Sequence, residues 1–181
     1  PEIKKEYAPP EVTPPEAGER VLINKITVTG VTLLTQKEIN KIISGYQNRQ
    51  LSLTDMQKVA DQITDAYRQK GYITSRAYLP PQKITSGNLE LRIVEGSTGD
   101  IEIKGNRHFK TALYRKKIAL QKTDPFNYEM LRKGMSNINQ LPDRSAKAIL
   151  TPGKEPATTD VLLEVKDRLP IHIGFDWDNF G

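Results

Sequence analysis

From Leu22 the chain alternates. Leu22, Asn24, Ile26 and Val28 interleave with Ile23, Lys25, Thr27 and Thr29 until Gly30, the pattern of a strand running into a turn. Two helices follow. Thr35-Gln36-Lys37-Glu38 is a capping box with Leu34 and Ile39 as the apolar staple around it, and Ser52-Leu53-Thr54-Asp55 repeats the device with Leu51 and Met56. Met56, Val59, Ala60, Ile63, Ala66 and Tyr67 then recur at helical spacing, and Gly71 is placed to end the run in a left-handed cap. Such a stripe needs an apolar surface to lie on. Residues 72–79 and 89–94 supply it as a predicted hairpin broken by Pro80-Pro81 and Ser86-Gly87-Asn88, with Leu89, Leu91 and Ile93 on one face and Glu90 and Arg92 on the other. The order is strand, helix, helix, strand, strand: two helices covering one face of a three-stranded sheet.

The same order then starts again. Ile101 and Ile103 alternate with Glu102 and Lys104 up to Gly105, 75 positions after Gly30. Residues 109–118 read as a short first helix and 127–141 as a second, with Asn127 as its cap and Leu131, Met135, Ile138 and Leu141 as its stripe. Gly134 inside that stripe costs about 1 kcal/mol against Ala, so close packing is expected there. Pro142 ends the helix. Ala146, Ala148 and Leu150 form the fourth element, and Val161, Leu163 and Val165 alternate with Asp160, Leu162 and Glu164 in the fifth. Ala77 to Ala148 is a shift of 71 and Leu91 to Leu163 a shift of 72. The fold class is therefore α+β, built as a duplicated β-α-α-β-β module.

Two segments fit neither module. Residues 1–20 carry Pro9, Pro10, Pro14 and Pro15 among Glu and Lys, a composition that favours extended backbone and cannot assemble a core, so they read as a linker. Near the other end, Ile171, Ile173, Phe175 and Trp177 alternate strictly with His172, Gly174, Asp176 and Asp178, as a lipid-facing and lumen-facing barrel strand does.

Composition narrows the function classes. The hydrophobic fraction of 36% and charged fraction of 27% belong to globular protein. No cysteine is present, which removes disulfides, thiolate metal sites and cysteine nucleophiles. The net charge of +5 is spread among 22 acidic residues, and the basic run Arg115-Lys116-Lys117 has no interleaved aromatics. A ferredoxin-like nucleic-acid binder would need aromatics on an open sheet face, where this chain places Glu, Lys, Arg and Thr. His108 and His172 stand alone, Asp176, Asp178 and Asn179 lack the glycine and glutamate of a calcium loop, and no nucleophile has a base beside it. No enzyme, cofactor, metal or small-molecule substrate is expected. No apolar run is long enough for a membrane helix and no leader opens the chain, so an exported chain would have lost its signal.

The run Gly71-Tyr72-Ile73-Thr74-Ser75-Arg76-Ala77-Tyr78-Leu79-Pro80-Pro81-Gln82, followed by Gly87-Asn88-Leu89-Glu90-Leu91-Arg92-Ile93-Val94-Glu95-Gly96, closely resembles the first POTRA module of two-partner-secretion (TpsB-type) outer-membrane transporters, the haemolysin and filamentous-haemagglutinin exporter family. Ile101-Glu102-Ile103-Lys104-Gly105-Asn106 resembles the opening of the second module, and Asp176-Trp177-Asp178-Asn179-Phe180-Gly181 the start of the family's barrel. The resemblance implies a linker over 1–20, POTRA modules over 21–96 and 97–168, and the beginning of the first barrel strand over 169–181. Any plug helix of the family would then lie outside this chain. It also implies a bacterial outer-membrane location with these modules on the periplasmic side, and two partners: an unfolded exoprotein, met through its N-terminal secretion domain, and the transporter's own β-barrel. In such modules the strand after the helices lies at a sheet edge, which here makes residues 72–79 and 145–150 the capture strands. The expected partner-binding residues are Tyr72, Ile73, Thr74, Arg76, Ser145, Ala146, Lys147, Ala148, Ile149 and Leu150. Of these, Ile73, Ala148 and Leu150 should pack mainly inward with Ala77, while Tyr72, Thr74, Arg76 and Lys147 meet the client. The alternative reading is the scaffold role that POTRA modules play in barrel-assembly proteins.

Overall fold

The computed structural model describes residues 19–84 and 86–169, and the chain divides after Glu95 into two units. The predicted barrel strand lies outside the described residues, as does most of the linker.

The first unit opens with β1 (Val21–Ile23) and β2 (Lys25–Thr29), then α1 (Gln36–Ile43), β3 (Arg49–Leu51), α2 (Leu53–Gln69), β4 (Arg76–Tyr78) and β5 (Asn88–Val94). In its main sheet β5 is central, parallel to β2 and antiparallel to β4, while β1 and β3 form a separate antiparallel pair. Both capping boxes are present in full, with Thr35 and Glu38 reciprocally bonded on α1 and Ser52 and Asp55 on α2. The staple residues Leu34, Ile39, Leu51 and Met56 are buried, as are Leu89, Leu91 and Ile93 on the inner face of β5. Gly71 takes the left-handed conformation at φ +87, and Tyr72 N–H returns to the Tyr67 carbonyl at 3.0 Å.

Two expectations require correction. The alternation over 22–28 belongs to two strands, because Asn24 breaks it: Asn24 N–H donates to the Gly87 carbonyl at 2.8 Å and its side-chain amide to the Ser86 carbonyl at 3.2 Å. The phase resets across that break, so Ile23 and Ile26 are both buried and Leu22 is exposed. Residues 72–79 are not one strand either. Residues 72–75 form a turn, with Ser75 N–H bonded to the Tyr72 carbonyl at 3.1 Å, and only Arg76–Tyr78 pairs with β5. Ile73 accordingly points away from the core and is 43% exposed.

The second unit repeats the plan with β6 (Ser97–Lys104), α3 (Thr111–Ile118), α4 (Tyr128–Asn139), β7 (Arg144–Pro152) and β8 (Thr158–Asp167). Here β8 is central, parallel to β6 and antiparallel to β7. Helix α3 begins two residues later than the pattern suggested, and α4 starts after Asn127, whose side chain accepts from Met130 N–H at 3.1 Å. A Cβ at Gly134 would sit 2.6 Å from the Lys117 carbonyl oxygen and overlap the Ile118 backbone, so the glycine lets α4 press onto α3. Gly30 and Gly105 occupy matching places: each has positive φ, and a Cβ on either would strike a carbonyl of the central strand, that of Ile93 or of Val165.

Candidate functional site

In an antiparallel pair the backbone groups of alternate residues point at the partner strand and away from it, so one known bond fixes the direction of all. On β7, Ala146 N–H donates to Asn139 Oδ1 at 2.6 Å and its carbonyl accepts from Asn139 Nδ2 at 3.2 Å. Ala146 therefore points away from β8, and by parity so do Ala148, Leu150 and Pro152, while Ser145, Lys147, Ile149 and Thr151 bond to β8. The side chains alternate too. Ala146 is buried, Ala148 and Leu150 pack partly against the core, and Ser145, Lys147 and Ile149 stand in solvent, Ile149 at 42% exposure.

The corresponding border of the first unit is built differently. Ala77 N–H points away from β5 and donates to Thr64 Oγ1 at 3.0 Å, and that hydroxyl donates in turn to the Ala60 carbonyl at 2.9 Å. Two residues past Tyr78, the pairing would set Pro80 against Glu90, but proline has no N–H to offer. Gln82 supplies both groups instead: its Nε2 donates to the Glu90 carbonyl at 2.7 Å and its Oε1 accepts from Glu90 N–H at 2.8 Å. Beside this border an apolar groove of about 230 Å³ runs between α2 and the loop after β4, lined by Leu53, Met56, Leu79, Pro80, Pro81 and Ile84.

At the far borders, Ile26 and Val28 direct their backbone outward from β2, since Lys25 N–H bonds to the Gly87 carbonyl on the β5 side at 3.2 Å. On β6 the Ile101 carbonyl accepts from Arg115 Nη2 at 3.1 Å.

Of the sequence-predicted binding residues, Ser145, Ala146, Lys147, Ala148, Ile149 and Leu150 lie together on one strand. Tyr72, Ile73 and Thr74 lie in the turn before β4, Arg76 alone of that group is on the strand, and Tyr72 packs against the core edge-on to Tyr67. Sequence reasoning did not find Thr64, Gln82 or Asn139. The signal for Asn139, a carboxamide at the last position of a helix just before a short turn into a strand, is present but common.

A second repeated device was also missed. Glu95, just past β5, accepts from Thr32 N–H at 2.7 Å, Leu33 N–H at 2.9 Å, the Thr32 hydroxyl and the Tyr67 hydroxyl at 2.6 Å. Asp167, at the end of β8, accepts from the N–H groups of Arg107, His108 and Phe109 and from the Tyr114 hydroxyl at 2.9 Å. Each carboxylate pins the loop that joins the strand parallel to the central one, β2 or β6, to the first helix of its unit. Burial pushes both acids up, but these donors outweigh it and hold each below its ordinary value. Burial, followed by the bond to its carboxylate, raises Tyr67 and pushes Tyr114 up to about 12.

A three-stranded sheet with its last strand central, two helices and the whole plan duplicated within one chain is the architecture of tandem POTRA modules. Residues 21–96 match the family described as POTRA domain, ShlB-type, and residues 97–166 the POTRA family described as surface antigen variable number repeat. The chain belongs to the POTRA region of two-partner-secretion outer-membrane transporters. It is 28% identical over 172 residues to the outer membrane transporter CdiB of Escherichia coli O6:K15:H31, covering 95% of this chain and 29% of CdiB. It is 29% identical over 160 residues to the hemolysin transporter protein HpmB of Proteus mirabilis, covering 88% of this chain and 27% of HpmB. The chain thus spans under a third of the length of these relatives. Among solved structures, CdiB from Escherichia coli superposes with TM-score 0.72 at 29% identity over 91% of this chain and 31% of that one. The N-terminal domain of Omp85 from Thermosynechococcus elongatus shares the fold alone, with TM-score 0.68 at 21% identity over 82% of this chain and 67% of that one.

Proposed function

We propose that this chain is the periplasmic receptor of an outer-membrane transporter: it takes up an unfolded exoprotein by adding the client's backbone to a sheet border and passes it to the β-barrel pore, without catalysing any reaction. The two modules of this receptor are residues 21–96 and 97–168. The observation that carries the reading is the outward backbone of Ala148 and Leu150, which offers N–H and C=O groups to an extended chain irrespective of its sequence. Exposed Ile149 and Lys147 adjoin that border and add side-chain contact.

Such a receptor works best with weak contacts. A client held at nanomolar affinity, about −12 kcal/mol, leaves slowly and would block export. The test is an NMR titration of the chain with the unfolded N-terminal segment of the secreted protein encoded beside it. Amide shifts concentrated on β7 are expected. If that segment leaves the spectrum unchanged while a folded barrel-assembly component binds, the chain is a scaffold for barrel insertion instead.

A further inference from the structure

We propose that Asn139 stands in for a peptide group of an added strand, confining client capture to Ala148, Ile149 and Leu150 of β7, while the β4 border of the first module is closed to strand addition. The proposal rests on the strand-addition reading above and assigns it to one module and one register.

A primary carboxamide carries the same donor and acceptor as a peptide bond. Asn139 presents both to Ala146 as a neighbouring strand would, with bonds of 3.2 Å from Nδ2 and 2.6 Å to Oδ1. Gln82 does the same for Glu90 in the first module. There the closure is nearly complete: Arg92 and Val94 are paired by β4, Glu90 by Gln82, and the single outward N–H of β4 is held by Thr64. An incoming strand would find only the Ala77 carbonyl, and β4 ends one residue later.

The second module stops its closure early. Asn139 answers Ala146, but β7 continues to Pro152, leaving both groups of Ala148 and of Leu150 facing outward and then a proline that offers a carbonyl alone. The open stretch therefore has a fixed beginning and a fixed end. Its neighbours define the chemistry of the occupant. On the solvent face Ile149 lies opposite Leu162, and on the helix face Ala148 and Leu150 are partly buried. The occupant is an unfolded, extended segment carrying β-branched or apolar side chains at alternate positions.

The test uses the whole chain and a soluble peptide of alternating valine and threonine ended by lysines, read by backbone amide shifts and hydrogen exchange. The expected footprint covers residues 148–150 and omits Arg76–Tyr78. Ala148→Pro removes an outward N–H without touching the β8 ladder, a position where an edge strand accepts proline, and should weaken binding at least about tenfold. Asn139→Ala should extend the footprint to Ala146 and tighten binding about two- to tenfold for each bond gained. Asn139→Asp keeps the acceptor for Ala146 N–H, preserves the turn, and should give a smaller gain. Wild-type footprints of equal strength on β4 and β7, a footprint on β2, or one indifferent to Asn139 would overturn this assignment and leave strand addition standing. Absence of binding, or binding to helices that Ala148→Pro does not alter, would overturn both.

Discussion

The Tyr67 hydroxyl donates to Glu95 Oε1 at 2.6 Å, across the first module from α2 to the end of β5. Tyr67 is fully buried otherwise, so this bond is what satisfies the polar end of one of the largest core side chains. Tyr67→Phe should cost about 1 kcal/mol, and Glu95→Ala, which orphans the Thr32 and Leu33 amides as well, about 2 kcal/mol. Urea unfolding of the two variants checks both figures. A cost for Glu95→Ala no larger than for Tyr67→Phe would mean that the loop amides find water instead.

Acid should weaken both modules. Glu95 and Asp167 titrate below their ordinary range when folded, and Glu38 is held down to about 2 by its bonds to Lys70 and Thr35. The unfolded chain therefore takes up protons first as pH falls. The stability these groups contribute is complete above their unfolded values near 4 and drains away as pH drops through the lower folded values. Thermal midpoints measured between pH 6 and pH 2 should fall across that window, and Glu95→Gln with Asp167→Asn should flatten the curve. An unchanged slope in the double variant would remove these two carboxylates from the account.

Gly134→Ala sets a gain in helix propensity of about 1 kcal/mol against collision with α3. Because the obstacles are the Lys117 carbonyl and the Ile118 backbone, with no flexible side chain to yield, overlap should win and the second module should lose about 2 kcal/mol net. Calorimetry decides, and a rise in midpoint would show that the helices can separate at little cost.

Thr64→Val keeps shape but leaves Ala77 N–H without its acceptor. A loss of about 1 kcal/mol is expected, with faster exchange of the Ala77 amide and no change at Ala146. Exchange that accelerates across all of β4 and β5 instead would mean that Thr64 holds the strand itself and not one amide.

What the sequence made legible was local. Thr35 with Glu38 and Ser52 with Asp55 announce helix starts because their partners are three residues away, Gly30 and Gly134 mark places where a side chain would collide, and Gly71 marks a left-handed turn of the backbone. The β7 strand was found because Ala146, Ala148 and Leu150 alternate with exposed neighbours. What stayed hidden depends on distant partners. The β1–β3 pair, the break at Asn24 and the reset that buries Ile23 are set by Arg49–Leu51 and by Gly87, far along the chain. The side chains that close the borders are ordinary polar residues whose role exists only once Gln82 faces Glu90 and Asn139 faces Ala146.

Two near-copies of one fold joined in a single chain run the risk of exchanging parts while they fold, since a helix from one copy can be laid on the sheet of the other. The tyrosines guard against this. The hydroxyl that meets Glu95 comes from the second helix of its unit, whereas the one that meets Asp167 comes from the first helix of its own. A hybrid that laid α4 alone in the place of α2, with α1 kept, would bring no tyrosine at the matching depth and leave the partly buried Glu95 short of a donor. The duplicated halves are thus kept from trading segments by a difference of one helix in where a phenol is mounted.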